Sequence, residues 1–124
     1  VRAVAKLMKK RESGVILLTS SGAGVHSPGS SPAYSASKGG THGLTFHLQN
    51  YLSNHGIRIH DILPGSIRSP LKVRQLKEAL QNTGDQKHFE KSSDELGEPD
   101  GVAKIVAFII SDDASYLKGS IITR

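Results

Sequence analysis

Residues 15–20 read Val-Ile-Leu-Leu-Thr-Ser, a run of branched and aliphatic side chains without polar alternation. Such a run is typical of a strand covered on both faces, as in a parallel sheet. The residues before it predict a helix that ends at Ser13-Gly14, because apolar side chains recur there at helical spacing: Val1, Val4, Ala5 and Met8. Residues 21–32 are rich in Gly, Ser and Pro and predict a loop.

Helices and strands continue to alternate along the rest of the chain. The pattern predicts a long helix over 33–54, a strand over 57–63, a short helix over 71–81, a helix from Pro99 and a last strand over 119–123. This order predicts an α/β fold with a Rossmann-like doubly wound parallel sheet and right-handed crossovers. Three strands that are apolar on both faces imply further neighbours, so we expect the last three strands of a larger sheet.

The composition excludes several classes of protein. A chain of 124 residues allows one domain at most. The absence of Cys excludes disulfides, Cys-based zinc sites, iron–sulfur clusters and a thiol nucleophile. The longest apolar run is too short to span a membrane, and no secretion signal opens the chain. We therefore expect a cytoplasmic protein without a membrane partner.

The net charge of +5 is concentrated in the first part of the chain. Lys and Arg cluster over residues 2–11, where a nucleic-acid interface would use them as phosphate contacts. We favour a solvated helix end, because no aromatic platform or nucleic-acid motif accompanies these charges. The six His residues predict no metal site, since His42 and His47 do not share a helical face. His26 could touch a substrate, but exposure to solvent is favoured.

Two short patterns carry the chemistry. Tyr34 and Lys38 are four residues apart at the start of the long helix, which places both on one face. An ammonium close to a phenol favours the phenolate and brings it towards the range useful for proton transfer. Ser21 follows the buried strand, at the edge where doubly wound sheets bind ligands, and its hydroxyl could donate to a developing oxyanion. Alone, each pattern also fits a surface Tyr, a solvated Lys or a serine in a turn.

In combination these residues resemble the short-chain dehydrogenase/reductase family. Ser21 is followed after twelve residues by Tyr34-Ser-Ala-Ser-Lys38-Gly39-Gly40. Further landmarks follow in family order: Pro64-Gly65-Ser66-Ile67-Arg68-Ser69, Gly97-Glu98-Pro99, and Ser111-Asp-Asp-Ala-Ser115 leading into Gly119. The joint match covers essentially the whole chain, although each piece alone is weak.

The resemblance implies an NAD- or NADP-dependent oxidoreductase that interconverts a small-molecule alcohol and a carbonyl. It implies that Tyr34 is the general acid or base, that Lys38 binds the nicotinamide ribose and that Ser21 polarises the substrate carbonyl. It also implies a nicotinamide cradle formed by Pro64, Gly65, Ile67 and Ser69, with Ser69 where Thr is usual. Residues 70–96 would form the variable substrate-binding segment, and the complete protein would be a homodimer or homotetramer.

The chain also departs from the family pattern. The glycine-rich phosphate turn, the ribose-selecting residue, the Asn-Asn-Ala-Gly segment and the catalytic Asn all belong upstream of Val1. Gly22-Ala23-Gly24 cannot replace the phosphate turn, because position 27 is Ser27 rather than a third Gly. After the last strand, Thr123-Arg124 stands where an acidic residue and two glycines are usual.

We therefore predict that residues 1–124 are the C-terminal catalytic part of a domain about twice this length. On its own, the chain should bind a dinucleotide poorly and be inactive. A nonenzymatic nucleotide-sensing or scaffold protein on the same fold is the alternative. The choice between NAD and NADP and the identity of the substrate stay open.

Overall fold

Three strands form a parallel sheet: β1 (Gly14–Thr19), β2 (Ile57–Leu63) and β3 (Gly119–Ile122), in the order β1-β2-β3. Gly14 pairs with Ile57 at one end of the first ladder, and His60 pairs with Gly119 in the second. This computed structural model describes residues 1–27 and 29–123. The predicted fold class, a partial doubly wound parallel sheet, is confirmed.

Five α-helices flank the described sheet, together with a short 3-10 helix at Asp112–Ala114. The helices are α1 (Arg2–Arg11), α2 (Pro32–Ser53), α3 (Pro70–Thr83), α4 (Gln86–Asp94) and α5 (Pro99–Ile110). The predicted end of α1, both predicted ends of α2 and the predicted start of α5 agree with the structure to within two residues. Within the described residues, no helix combines the length and the apolar character needed to cross a membrane.

Helix α4 differs from the sequence prediction, which has only one helix in the polar segment 68–97. Gly84 ends α3 in a left-handed conformation, with φ of 69°. Asp85 then starts α4, since its carboxylate accepts a hydrogen bond from the amide of His88 at 2.9 Å. Turn and cap chemistry, rather than apolar periodicity, defines this pair of helices.

Side-chain caps also fix the first turns of α2 and α3. Ser31 accepts a hydrogen bond from the amide of Tyr34, and Pro32 occupies the first helical position. Ser69 caps α3 in the same way by accepting from the amide of Lys72, followed by Pro70. Ser31 precedes Tyr34 by three residues, and Ser69 is itself a candidate site residue. Local sequence chemistry therefore sets where the helices begin relative to the sheet.

The hydrophobic core lies between the sheet and the first two helices. Its buried members are Ala5, Ile16, Leu52, Ile57 and Ile59, with Met8, Leu18 and Leu48 packed against them. The apolar side chains of α1 and α2 therefore divide into two parts. Leu48, Leu52 and Met8 belong to the core, whereas Val4 and Leu44 are exposed.

Strand β2 is central and buried on both faces. On the face opposite α1 and α2, the Arg58 guanidinium donates to the carbonyl oxygens of Ile109, Ser111 and Ala114 at 2.7–3.1 Å. These bonds satisfy carbonyls at and beyond the end of α5 and attach that end to the sheet. Ile109 is itself fully buried.

Candidate active site

The candidate site lies at the carboxyl edge of the sheet. Strand β1 ends at Thr19 and is followed by Ser20 and Ser21, and β2 ends at Leu63 and is followed by Pro64. Because the strands are parallel, these ends meet at one edge, which is where doubly wound sheets bind ligands. Helix α2 starts at the same edge and brings Tyr34 in its first turn.

Two clefts open at this edge. The first has a volume of about 370 Å³, and its lining includes all of the sequence-predicted site residues: Ser21, Tyr34, Lys38, Pro64, Gly65, Ile67 and Ser69. The second, of about 560 Å³, extends towards the loop after β1 and towards α3. Its lining includes His26 from that loop and Lys72 and Gln75 from α3.

Ser21 and Tyr34 line both clefts. The Tyr34 side chain is exposed, and Ser21 is half-buried. The Ser21 oxygen accepts a hydrogen bond from the amide of Ala23 at 3.2 Å, so its own proton is free to be donated into the clefts. Ser21 and Tyr34 could therefore contact a ligand in the first cleft and a ligand in the second cleft at the same time.

Lys38 is held by the end of β1. Its Nζ donates to the carbonyl oxygen of Thr19 at 3.0 Å and lies 5.9 Å from the centroid of the Tyr34 ring. The remaining protons of the ammonium can point into the smaller cleft, which Lys38 also lines. The positive charge is thus fixed beside the tyrosine ring by the backbone rather than by an acidic side chain.

The loop after Ser21 folds back on itself and packs against the start of α2. The Gly22 carbonyl oxygen accepts from the amides of Val25, His26 and Ser27 at 3.0–3.1 Å. Gly24 has φ of 82°, and a Cβ at this position would lie 2.3 Å from the Ser35 carbonyl oxygen. Only glycine fits so close to α2, and this contact fixes the wall of the larger cleft.

A buried polar cluster lies behind the site, and the sequence analysis missed it. The Asp61 carboxylate is fully buried in β2 and accepts hydrogen bonds from Ser20 at 2.5 Å, from His42 Nδ1 at 2.9 Å and from the Ser120 hydroxyl. The available signal was a carboxylate within a predicted strand, between His60 and Ile62. For His42, the sequence predicts no metal site and gives no sign of the contact with Asp61.

His60 is the other buried titratable group of β2. Its Nδ1 lies 3.2 Å from the Gly119 carbonyl oxygen, and its Nε2 has no partner among the described residues. Burial lowers the pKa of His60 below its usual value; the Gly119 hydrogen bond opposes this shift, and the Arg58 charge adds to it. His60 is therefore held as a neutral packing residue.

Comparison with known proteins assigns the family. The family model described as enoyl-(acyl carrier protein) reductase matches residues 1–123. The chain is similar to levodione reductase from Leifsonia aquatica, with 34% identity over 124 positions that cover 96% of this chain and 46% of that protein. The crystal structure of levodione reductase superimposes with a TM-score of 0.82 over 96% of this chain and 48% of the other. The chain belongs to the short-chain dehydrogenase/reductase family.

Two further solved structures share the fold. NAD⁺-bound xylitol dehydrogenase is 27% identical, with a TM-score of 0.82 over 98% of this chain and 52% of the other. L-sorbose reductase from Gluconobacter frateurii, in complex with NADPH and L-sorbose, has a TM-score of 0.85 at 24% identity, over 98% of this chain and 50% of the other. The chain thus spans about half the length of the relatives that it matches.

Proposed function

We propose that the complete protein is an NAD- or NADP-dependent oxidoreductase that interconverts a small-molecule alcohol and a carbonyl. Residues 1–124 would be the C-terminal catalytic part of its single domain. The observation that carries this proposal is the position of Ser21 and Tyr34 in the lining of two adjoining clefts. A hydride transfer needs such an arrangement, with the cofactor on one side and the substrate on the other.

The smaller cleft fits the nicotinamide end of a dinucleotide. Lys38 offers ammonium protons for the ribose, and Tyr34 lies beside it. The Ser69 oxygen accepts from the Lys72 amide, which leaves its proton free for a carboxamide oxygen. Pro64, Gly65 and Ile67 complete the cradle. When bound, a nicotinamide supplies or accepts the hydride.

The larger cleft would hold the substrate. In the reducing direction, the Tyr34 phenol gives its proton to the substrate oxygen, and in the oxidising direction it takes a proton from that oxygen. Ser21 donates a hydrogen bond to the same oxygen and stabilises the charge that develops there. The Lys38 ammonium lies 5.9 Å from the centroid of the Tyr34 ring, so it would stabilise the negative charge that develops on the phenol oxygen as the proton is transferred.

Replacement of Tyr34 by Phe in the complete protein tests this function. The variant removes the hydroxyl and keeps the ring, so kcat should fall by about 10² to 10⁴-fold while NADH or NADPH still binds. Turnover is followed by nicotinamide absorbance with a panel of alcohols and carbonyls, and cofactor binding by calorimetry. Tyr51→Phe is the matched control, because Tyr51 is exposed on α2 and lines neither cleft.

The result distinguishes the enzyme from its alternative. A nonenzymatic nucleotide-sensing or scaffold protein would bind the cofactor and show no turnover that depends on Tyr34. Unchanged kcat in Tyr34→Phe, or cofactor binding without turnover of any substrate in the panel, would favour that alternative.

A further inference from the structure

The Asp61 carboxylate is buried in the central strand at 0% exposure. Burial of a carboxylate is costly unless hydrogen bonds replace its hydration. Three donors from three different elements supply them: Ser20 after β1, His42 on α2 and Ser120 on β3. Asp61 therefore connects the end of β1, strand β3 and helix α2 through hydrogen bonds, and we call this cluster of Ser20, His42, Asp61 and Ser120 the junction.

The bond from Ser20 acts directly on the end of β1. Ser20 is the residue between Thr19 and Ser21, and its amide also donates to the Ile62 carbonyl oxygen at 3.0 Å. Its neighbour Thr19 is held by Lys38 through the carbonyl oxygen. Residues 19 and 20 are thus fixed from two sides, and the hydroxyl of the next residue, Ser21, is presented to the clefts.

The bond from His42 acts on α2. Tyr34, Lys38 and His42 are spaced four residues apart, so they form one stripe along this helix. A carboxylate only accepts hydrogen bonds, and His42 Nδ1 therefore carries the proton that points to Asp61. His42 lines neither cleft, and the same is true of Asp61. Their contribution to a reaction would come through the placement of other residues.

We propose that His42 and Asp61 form a positioning pair that sets Ser21 relative to Tyr34. Asp61 accepts a hydrogen bond from the hydroxyl of Ser20, the residue before Ser21. It also accepts one from His42, which lies on the same helix as Tyr34. The pair fixes the distance between the hydroxyl that polarises the substrate and the phenol that transfers the proton. The kinetic consequence of this role rests on the proposed function, whereas the structural coupling does not.

Two substitutions of His42 in the complete protein separate positioning from folding. His42→Leu removes the donor, whereas His42→Asn keeps an N–H close to the place of Nδ1. Hydrogen exchange at the amides of Ser20 and Ala23 reports on the junction, because the Ala23 amide donates to the Ser21 oxygen. We expect exchange at these two amides to be at least about tenfold faster in His42→Leu and close to wild type in His42→Asn.

The amide of Ile59, in the middle of β2, serves as an internal reference for global stability. Its exchange should be unchanged in both variants. Equal acceleration at Ile59, no acceleration at Ser20, or equal effects of Leu and Asn would each overturn the proposal. His47→Leu is the matched control on the same helix, because His47 is exposed. If His42→Leu does not fold, the nearly isosteric Asp61→Asn should show the same local acceleration, and normal exchange there would overturn the pairing.

Kinetics add a second readout. Misplacement of a reacting group affects the transition state more than ground-state binding, so kcat should fall by about tenfold in His42→Leu with little change in KM. His42→Asn should restore kcat. An unchanged kcat together with local acceleration of exchange would contradict the positioning role. If Tyr34→Phe shows that the proposed function is wrong, the exchange pattern alone decides whether the pair couples the strand end to α2.

Discussion

At the scale of single residues, His60 offers a test of stability against pH. The folded protein holds this side chain neutral with a lowered pKa, whereas the unfolded chain protonates it near the usual value of 6.5. Below that pH the unfolded state binds more protons, so the free energy of unfolding falls as the pH decreases towards the lowered folded pKa. Above that pH, His60 is neutral in both states and does not make the free energy of unfolding depend on pH.

Replacement of His60 by Asn should remove this slope, because Asn cannot titrate and can still donate to the Gly119 carbonyl oxygen. We expect the difference in free energy of unfolding between pH 7.5 and 5.5 to be smaller in His60→Asn than in the wild type. Urea unfolding at both pH values measures it. His47→Asn, at an exposed position, should keep the wild-type difference. An identical difference in the wild type and His60→Asn would contradict the assignment.

The sequence could predict some site residues and not others, and the reason is the range of their interactions. Tyr34 and Lys38 are four residues apart, and Ser21 follows a strand that is recognisable from its own composition. The partners of Asp61 lie 41, 19 and 59 residues away, so no local pattern indicates them. A carboxylate within a predicted strand is a local sign of a buried polar contact, but it does not identify the donors, which only the fold brings together.

At the scale of elements, turn glycines determine how the strands and helices are joined. Gly56, between α2 and β2, has φ of 66°, and a Cβ there would lie 2.0 Å from the Glu12 carbonyl oxygen. Gly84, which ends α3, has φ of 69° and open space around the same position. The two glycines share the left-handed conformation, and only Gly56 also needs the close approach of another backbone.

This difference predicts that substitution by Ala lowers the free energy of unfolding by unequal amounts at the two positions. Gly84→Ala should lower the free energy of unfolding by about 1 kcal/mol, the cost of a left-handed alanine. Gly56→Ala should cost at least about 2 kcal/mol more, because the turn between α2 and β2 must also move away from Glu12. Urea unfolding of both variants checks this prediction. Equal losses would show that the turn adapts without strain.

The same local chemistry explains which elements were predictable. Apolar runs and stripes identified the three strands and the helices α1, α2 and α5, because burial of those elements imposes the pattern. Helix α4 has no buried residue, so nothing in its apolar pattern distinguished it from a loop. Its start depends on the Asp85 cap, and an Asp directly after Gly84 is the one local sign of this start in the sequence.

At the scale of the whole molecule, the proposed function gives this chain one end of a cofactor site. Under that proposal, the smaller cleft would bind the nicotinamide and its ribose. The glycine-rich turn that the family uses for the pyrophosphate has no counterpart in these 124 residues, and the relatives are about twice as long. We therefore propose that the pyrophosphate is bound by a part of the complete protein that precedes this chain.

If the nicotinamide and the pyrophosphate are bound by different parts of the protein, two ligands should differ in how their affinities change between residues 1–124 and the complete protein. Loss of two charge-assisted hydrogen bonds to the pyrophosphate removes about 3 kcal/mol, so NADH should bind the 124-residue chain about 100-fold more weakly. Reduced nicotinamide mononucleotide needs only the cleft described here, and its two affinities should agree within about threefold. Calorimetry on samples with the helical circular dichroism of this fold measures both ligands. Equal NADH affinities would mean that residues 1–124 hold the pyrophosphate themselves, and weak binding of both ligands would mean that the nicotinamide cradle also needs the rest of the domain.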